Sequence, residues 1–150
     1  MKYQRLAIGT LHKQILIYDL RHCTRLFVLA DSHEYPISAI SFSTDGKLMA
    51  SYSLEESTVR IWTVAPSVWG FGSAPPKCLN RYVVSEKLES LSFYFFSNFP
   101  FNLFTPLFPP PSPEPPLEKL LRLLKLEWTS AKTVKVTAPG DHQFNVQVNI

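Results

Sequence analysis

His33, Ser51 and Glu56 supply a base, a hydroxyl and an acid in one short stretch of the chain. These are the residue types of a nucleophilic triad, in which an imidazole takes the hydroxyl proton and a carboxylate orients the ring. Composition does not make a triad, because triads are recognised by geometry and by the role of each group. The chain has no nucleophile elbow, no phosphate-binding loop and no metal-ligand spacing. The three residues are therefore read as structural, and no catalytic, cofactor-binding or metal-binding residue is assigned. His22 beside Cys23 resembles half of a metal site, but two ligands do not close one. Both are assigned to a loop.

Composition narrows the class. The length of 150 residues is that of one ordinary domain. Hydrophobic residues make up 45% and charged residues 18%, the latter below the usual share of about a quarter. The formal charge is +3 and the basic residues are scattered. A nucleic-acid surface would need them clustered. Cys23 and Cys78 fit neither a disulfide framework nor a metal spacing, and read as free thiols of a reducing compartment. No long apolar stretch follows Met1 to Arg5, so no signal peptide is expected and a cytosolic location is the default.

The elements that would position these residues are strands. Leu6 to Thr10 and Gln14 to Leu20 flank the short polar break Leu11-His12-Lys13, which reads as a hairpin, and Arg25 to Ala30 adds a third strand. Ile37 to Ser43, Leu48 to Ser53, Thr58 to Val64 and Lys77 to Val84 predict four more. Asp45-Gly46 supplies tight-turn chemistry between the first two of these. The tail alternates with period two: Leu124, Leu126 and Trp128, then Val134 and Val136, then Phe144, Val146 and Val148, with Pro139-Gly140-Asp141 as a turn.

The segment 85–117 breaks the pattern. Leu91 to Phe108 is crowded with phenylalanine, but Asn98, Pro100, Asn102 and Pro106 interrupt it. A helical span normally takes about 20 predominantly apolar residues. Pro109 to Pro116 favours an extended polyproline conformation. The segment reads as a disordered insertion or as a gene-model artefact. Pro110, Pro113 and Pro116, spaced by three, are also a possible ligand for polyproline-binding domains. Leu117 to Leu123 suits two short helical turns.

Residues Leu6 to Val64 resemble WD-repeat proteins. Ser32-His33 stands where that family carries Gly-His. Phe42-Ser43-Thr44-Asp45-Gly46 is similar to its Phe-Ser-Pro-Asp-Gly turn, and Trp62-Thr63 stands at its Trp-Asp pair. Tyr18 and Trp62 lie 44 residues apart, within the repeat period of about 40–45. The resemblance implies an all-β fold, an incomplete β-propeller of two to three four-stranded antiparallel blades. Residues 1–84 would form blades, the first of them partial, and 118–150 the strands of a last partial blade. It further implies a hydrogen-bonded brace of His33, Ser51, Glu56 and Trp62, with Glu56 one methylene longer than the family's Asp. In the earlier half-repeat Tyr18-Asp19 stands at the Trp-Asp position, and His12 where the brace acid would be. A blade buries its faces on its neighbours, so such a piece is expected to be poorly stable and to expose strand edges.

The order of motifs narrows the likeness. Leu6-Ala7-Ile8-Gly9, Ile17-Tyr18-Asp19-Leu20, Ile37 to Phe42, Asp45 to Ser53 and the terminal Leu126-Glu127-Trp128-Thr129-Ser130 resemble the C-terminal end of the rabconnectin-3 beta family. The similarity spans about residues 5–84 and 118–149 and skips the Phe/Pro-rich segment. It implies a non-enzymatic cytoplasmic scaffold, peripheral on endosomal or secretory vesicles. The implied partners are the rabconnectin-3 alpha (DmX-like) subunit and subunits of the vacuolar proton pump. The alternative is a generic WD-repeat adaptor that presents the Pro-rich segment.

Overall fold

A computed structural model describes residues 4–64, 74–84, 121–138 and 142–149. The Phe/Pro-rich segment 85–117, its apolar run and its prolines lie outside these residues, as does the turn expected at 139–141. Of the expected helical turns only 121–123 are described, and they are helical. No helix among the described residues is long and apolar enough to cross a membrane.

Among the described residues, ten strands form three antiparallel sheets. The first holds β1 (Arg5–Gly9), β2 (Ile15–Asp19) and β3 (Thr24–Leu29) in the order β1-β2-β3. The second holds β4 (Ala39–Phe42), β5 (Leu48–Ser53), β6 (Thr58–Thr63) and β7 (Lys77–Val83) in chain order. The third holds β8 (Lys125–Ser130), β9 (Thr133–Ala138) and β10 (His142–Gln147). The described residues are thus all-β in class, with every strand pairing between neighbours in sequence. β4 is shorter than the expected 37–43, because Ile37 turns its backbone N–H back to the Thr10 carbonyl (3.5 Å) rather than into the ladder.

The 44-residue spacing has a structural counterpart. The β2–β3 ladder slips between Ile17 and Tyr18, and the β6–β7 ladder slips between Ile61 and Trp62. The turns entering β2 and β6 each place a side-chain-bearing residue in the left-handed region, Lys13 at φ 63° and Ser57 at φ 49°. In both turns that residue's N–H returns to a carbonyl three positions back, Lys13 to Thr10 and Ser57 to Leu54. The same turn and the same bulge thus recur one repeat apart.

The second sheet lies between the other two and works with both faces. Successive strand residues point to opposite sides. On one side Met49, Trp62 and Val64 pack with Ile15 and Ile17 of β2, joined by Phe27, Leu29 and Ile40. On the other, Ala50, Tyr52, Val59 and Ile61 pack with Leu126, Val134, Val136 and Val146 of the third sheet. The register supports this division, since Met49 lies opposite Trp62 while Ala50 lies opposite Ile61 and Tyr52 opposite Val59. Tyr52 meets Phe144 with ring centroids 6.2 Å apart and planes tilted by 57°, within the range of favourable aromatic pairs. Polar bridges tie the sheets as well. The Trp128 indole N–H donates to the Ser41 carbonyl (3.1 Å), and the Asn80 amide donates to the Asn149 carbonyl (2.7 Å).

Gly9 sets how closely the first sheet approaches the second. A Cβ there would lie 2.6 Å from Ile37 Cγ2 and 2.8 Å from Ile37 Cβ. A β-branched side chain has no free end to swing aside, so the backbone itself would have to shift. Gly9→Ala is expected to destabilise the chain by about 1–3 kcal/mol through overpacking, read as a lower urea midpoint. An unchanged midpoint would show that this contact does not limit the packing.

Candidate functional site

The site is built on β5, β6 and the two turns that reach them. Ser51 lies mid-strand in β5 on the side facing the first sheet, and alternation along β6 brings Trp62 to the same side. His33 comes from the segment between β3 and β4, which is anchored by Ser32: its N–H (2.9 Å) and its hydroxyl (2.8 Å) both donate to the Lys13 carbonyl. Glu56 sits in the β5–β6 turn and reaches back across the sheet end. Ser51 is fully buried, and His33 and Ser32 are nearly so.

These residues form one hydrogen-bonded chain. The Trp62 Nε1–H donates to Ser51 Oγ at 2.9 Å. Ser51 Oγ and His33 Nε2 are 2.7 Å apart, and His33 Nδ1 bonds Glu56 Oε2. The direction of each bond follows from the two ends. The indole can only donate and an ionised carboxylate can only accept. Nδ1 therefore carries the proton and donates to Glu56, and Nε2 of the neutral ring accepts the Ser51 hydroxyl.

The other carboxylate oxygen is held as firmly. Glu56 Oε1 accepts from Arg60 Nη2 at 2.8 Å and from the Glu34 backbone N–H at 3.1 Å. Arg81 Nη2 stands 3.8 Å from the same oxygen, and its Nη1 lies 3.5 Å from the Glu34 carboxylate. The Glu56 side chain is 2% exposed. A carboxylate this deep must be matched by charge and by hydrogen bonds, and Arg60 with the Glu34 amide supplies both. Burial pushes the Glu56 carboxyl up, but the His33 bond, the Glu34 amide and the Arg60 charge outweigh it and leave its pKa below the ordinary 4.5. Burial dominates at His33 and holds its pKa below the ordinary 6.5 despite the Glu56 bond, so the ring is neutral near pH 7.

The connectivity Ser–His–acid is that of a triad, yet this arrangement cannot run acyl transfer. Ser51 Oγ has no accessible surface through which a carbonyl might approach, and the Trp62 indole already occupies an acceptor site on it. What the arrangement can do is lock four segments, two strands and two turns, in one packing. His12, at the acid's place in the earlier half-repeat, is exposed. Asp19 there accepts from the Arg21 N–H (2.8 Å) and bonds His22 Nδ1 (2.9 Å) instead. The residue 44 positions before Ser51 is Ala7, which has no hydroxyl to link such a chain.

Asp45 and Gly46 lie at the other end of β5. Gly46 adopts φ 70°, a conformation that glycine takes without strain. Asp45 Oδ1 accepts from the Ser43 hydroxyl (2.7 Å) and the Lys47 N–H (3.1 Å), which holds its carboxyl below the usual range. Ser43 Oγ in turn accepts the Leu48 N–H at 2.9 Å, so this turn is pinned by Ser43 as much as by Asp45. Cys23 and Cys78 are exposed free thiols, whose sulfurs lie 3.8 Å from the Leu20 carbonyl and 3.7 Å from the Asn80 carbonyl. His22 and Cys23 gain no third ligand, and the described residues hold no cluster of three metal-ligating side chains.

Arg60 was not singled out from the sequence. One sequence signal points to it, its place four residues after Glu56; its pairing with Ser51 across the β5–β6 ladder emerges only from the register. Comparison with protein families adds nothing to this geometry, because no family model matches the chain.

Two outcomes follow for stability. Trp62→Phe leaves Ser51 Oγ without its donor and should lower stability by about 1–2 kcal/mol, while Glu56→Ala orphans both the imidazole N–H and Arg60 and should lower it by about 3–5 kcal/mol. Chemical denaturation measures both, and equal losses would refute the order.

Acid should weaken the same site. Below pH 6.5 the unfolded chain protonates His33 before the folded one does, so stability falls as pH drops from about 6.5 through the folded value. Glu56 adds a second loss of the same sign below its ordinary 4.5. Denaturation midpoints between pH 8 and 5 should slope downward toward acid, and His33→Gln should flatten that slope. An equal slope in the variant would place the titration elsewhere.

Proposed function

We propose that the chain is part of a WD-repeat β-propeller and serves as a non-catalytic protein scaffold in assembly of the vacuolar proton pump, and so in vesicle acidification. The observation that carries this reading is the buried chain from Trp62 through Ser51 and His33 to Glu56. It joins the four residues that the likeness to WD repeats implies. The recurrence of turn and bulge over 44 residues supports the repeat reading, and the order of motifs up to Trp128-Thr129-Ser130 supports the likeness to the rabconnectin-3 beta family.

On this reading the buried polar chain is a specificity device. A satisfied network of this kind fixes one packing of the sheet and its loops, which a rigid docking platform needs. The partners are then proteins: the rabconnectin-3 alpha (DmX-like) subunit and subunits of the pump. The location is cytoplasmic, peripheral on endosomal or secretory vesicles.

Affinity capture on the tagged chain from a cytosol and vesicle extract tests the proposal. Pump subunits or the alpha subunit are expected in the eluate, with a several-fold loss for Glu56→Ala, which loosens the platform. Recovery of neither from the intact chain would overturn it.

A further inference from the structure

The two faces of the second sheet are held by different chemistry, and a proton acts on them differently. Toward the third sheet, Tyr52 and Ile61 pack on Val134 and Val136. The Trp128 indole on the Ser41 carbonyl and the Asn80 carboxamide on the Asn149 carbonyl bridge that joint. Tyr52 is a titratable side chain there, and burial pushes its hydroxyl pKa up, away from neutral pH. The joint with the first sheet runs through the loop between β3 and β4. Ser32 binds the Lys13 carbonyl twice, and the Ile37 N–H returns to the Thr10 carbonyl. Met49 and Trp62 pack on Ile15 and Ile17, and Arg5 reaches the Val64 carbonyl past the far end of β6. His33 stands in this loop with its side chain wholly out of water.

The polar chain has no place for another hydrogen. With the imidazole neutral, Trp62 donates to Ser51, Ser51 to His33 Nε2, and His33 Nδ1–H to Glu56. A proton added at Nε2 turns that nitrogen into a donor. Ser51 Oγ then takes two N–H groups, and its own hydrogen loses its acceptor at a site with no accessible surface. A buried O–H orphaned in this way keeps its full desolvation penalty. The charges around the ring divide. Glu56 of the β5–β6 turn favours the added charge, whereas Arg60 of β6 and Arg81 of β7 oppose it. In the loop itself Glu34 is engaged by Arg81, and Asp31 is exposed. The first sheet meets the loop with the Lys13 carbonyl, and the Lys13 side chain is exposed. Glu55, next in the turn, has its carboxyl pushed up by burial, so acid favours the folded form there and offsets part of the loss.

We propose that His33 is a proton-operated latch between the first two sheets: acid drives its loop off the second sheet and frees the first sheet, while the second and third stay joined. The latch stands on the burial and hydrogen bonding of His33 and does not rest on the scaffold reading. Burial keeps the seated ring neutral, so the open loop is the form that takes the proton. The open population then rises by up to about tenfold for each pH unit below 6.5. Opening undoes the Ser32 and Ile37 bonds together, because both lie on the loop that carries His33. It leaves the Trp128 and Asn80 bridges in place, since neither involves that loop. A local opening of this kind needs less free energy than unfolding of the whole chain.

Amide exchange and indole NMR of the intact 150-residue chain test the latch. Protection of the Ser32 and Ile37 N–H groups, corrected for intrinsic exchange rates, should fall about tenfold between pH 7.5 and 5.5. In an acid titration at fixed urea, the native Nε1–H signal of Trp62 should be lost at a higher pH than that of Trp128, which reports the joint with the third sheet. His33→Gln should abolish the fall in protection and bring the two losses together. His12→Gln and His22→Gln, both at exposed histidines, should behave as the wild type does. Simultaneous loss of both indole signals in the wild type would overturn the proposal, because acid would then unfold the chain as one unit. So would unchanged protection at Ser32 and Ile37, a full response in folded His33→Gln, or its loss in either exposed-histidine variant. If His33→Gln does not fold, the wild type and the two exposed-histidine variants decide the outcome.

Discussion

A neutral imidazole out of water needs an acceptor for one nitrogen and a donor for the other, and the second sheet is arranged around that requirement. His33 meets it with a strand residue on one side and a turn residue on the other. Ser51 is fixed by the β5 ladder, and Glu56 by Arg60 and the Glu34 amide. A partly satisfied network would be worse than an apolar core, since each orphaned group keeps its desolvation penalty. The loop that carries His33 therefore has one place to lie. Through the Ser32–Lys13 bonds that place also fixes the end of the first sheet against the second.

The second sheet can hold both neighbours because its central strands β5 and β6 alternate along their whole length and so serve both faces. β6 sends Val59 and Ile61 to one core and Arg60 and Trp62 to the side of the other, and β5 does the same with Ala50 and Tyr52 against Met49 and Ser51. The face toward the third sheet is apolar at its centre apart from the buried Tyr52 hydroxyl. The face toward the first sheet mixes Met49 and Trp62 with the polar chain. One interface is thus set chiefly by shape and burial, the other by directional bonds as well. Directional bonds fix register where apolar packing alone would tolerate sliding.

Much of this was legible along the chain. Apolar runs between turn residues located the first seven strands of the described residues, and period-two alternation located the three of the tail, within about two residues. Asp45-Gly46 marked its turn because glycine suits the left-handed residue there. Arg60 was less legible: its partner Glu56 is near in sequence, but its place beside Ser51 follows from ladder register. The short β4 was also hidden, since whether Ile37 joins the ladder depends on Thr10 of another sheet.

The sequence by itself determined the strands, their turns and the residue types of the polar chain, since these depend on neighbours a few positions away. Only the tertiary structure decided what those residues do. Glu56 is one methylene longer than the expected acid, and whether that length reaches His33 depends on how the turn meets a loop from beyond the next strand. Ser51 has a triad's partners, but the indole bond and the first sheet that close it off arise from packing. Which faces of the sheets are covered was settled by the order in which the three stack, a long-range choice made by burial of apolar area rather than by any local propensity.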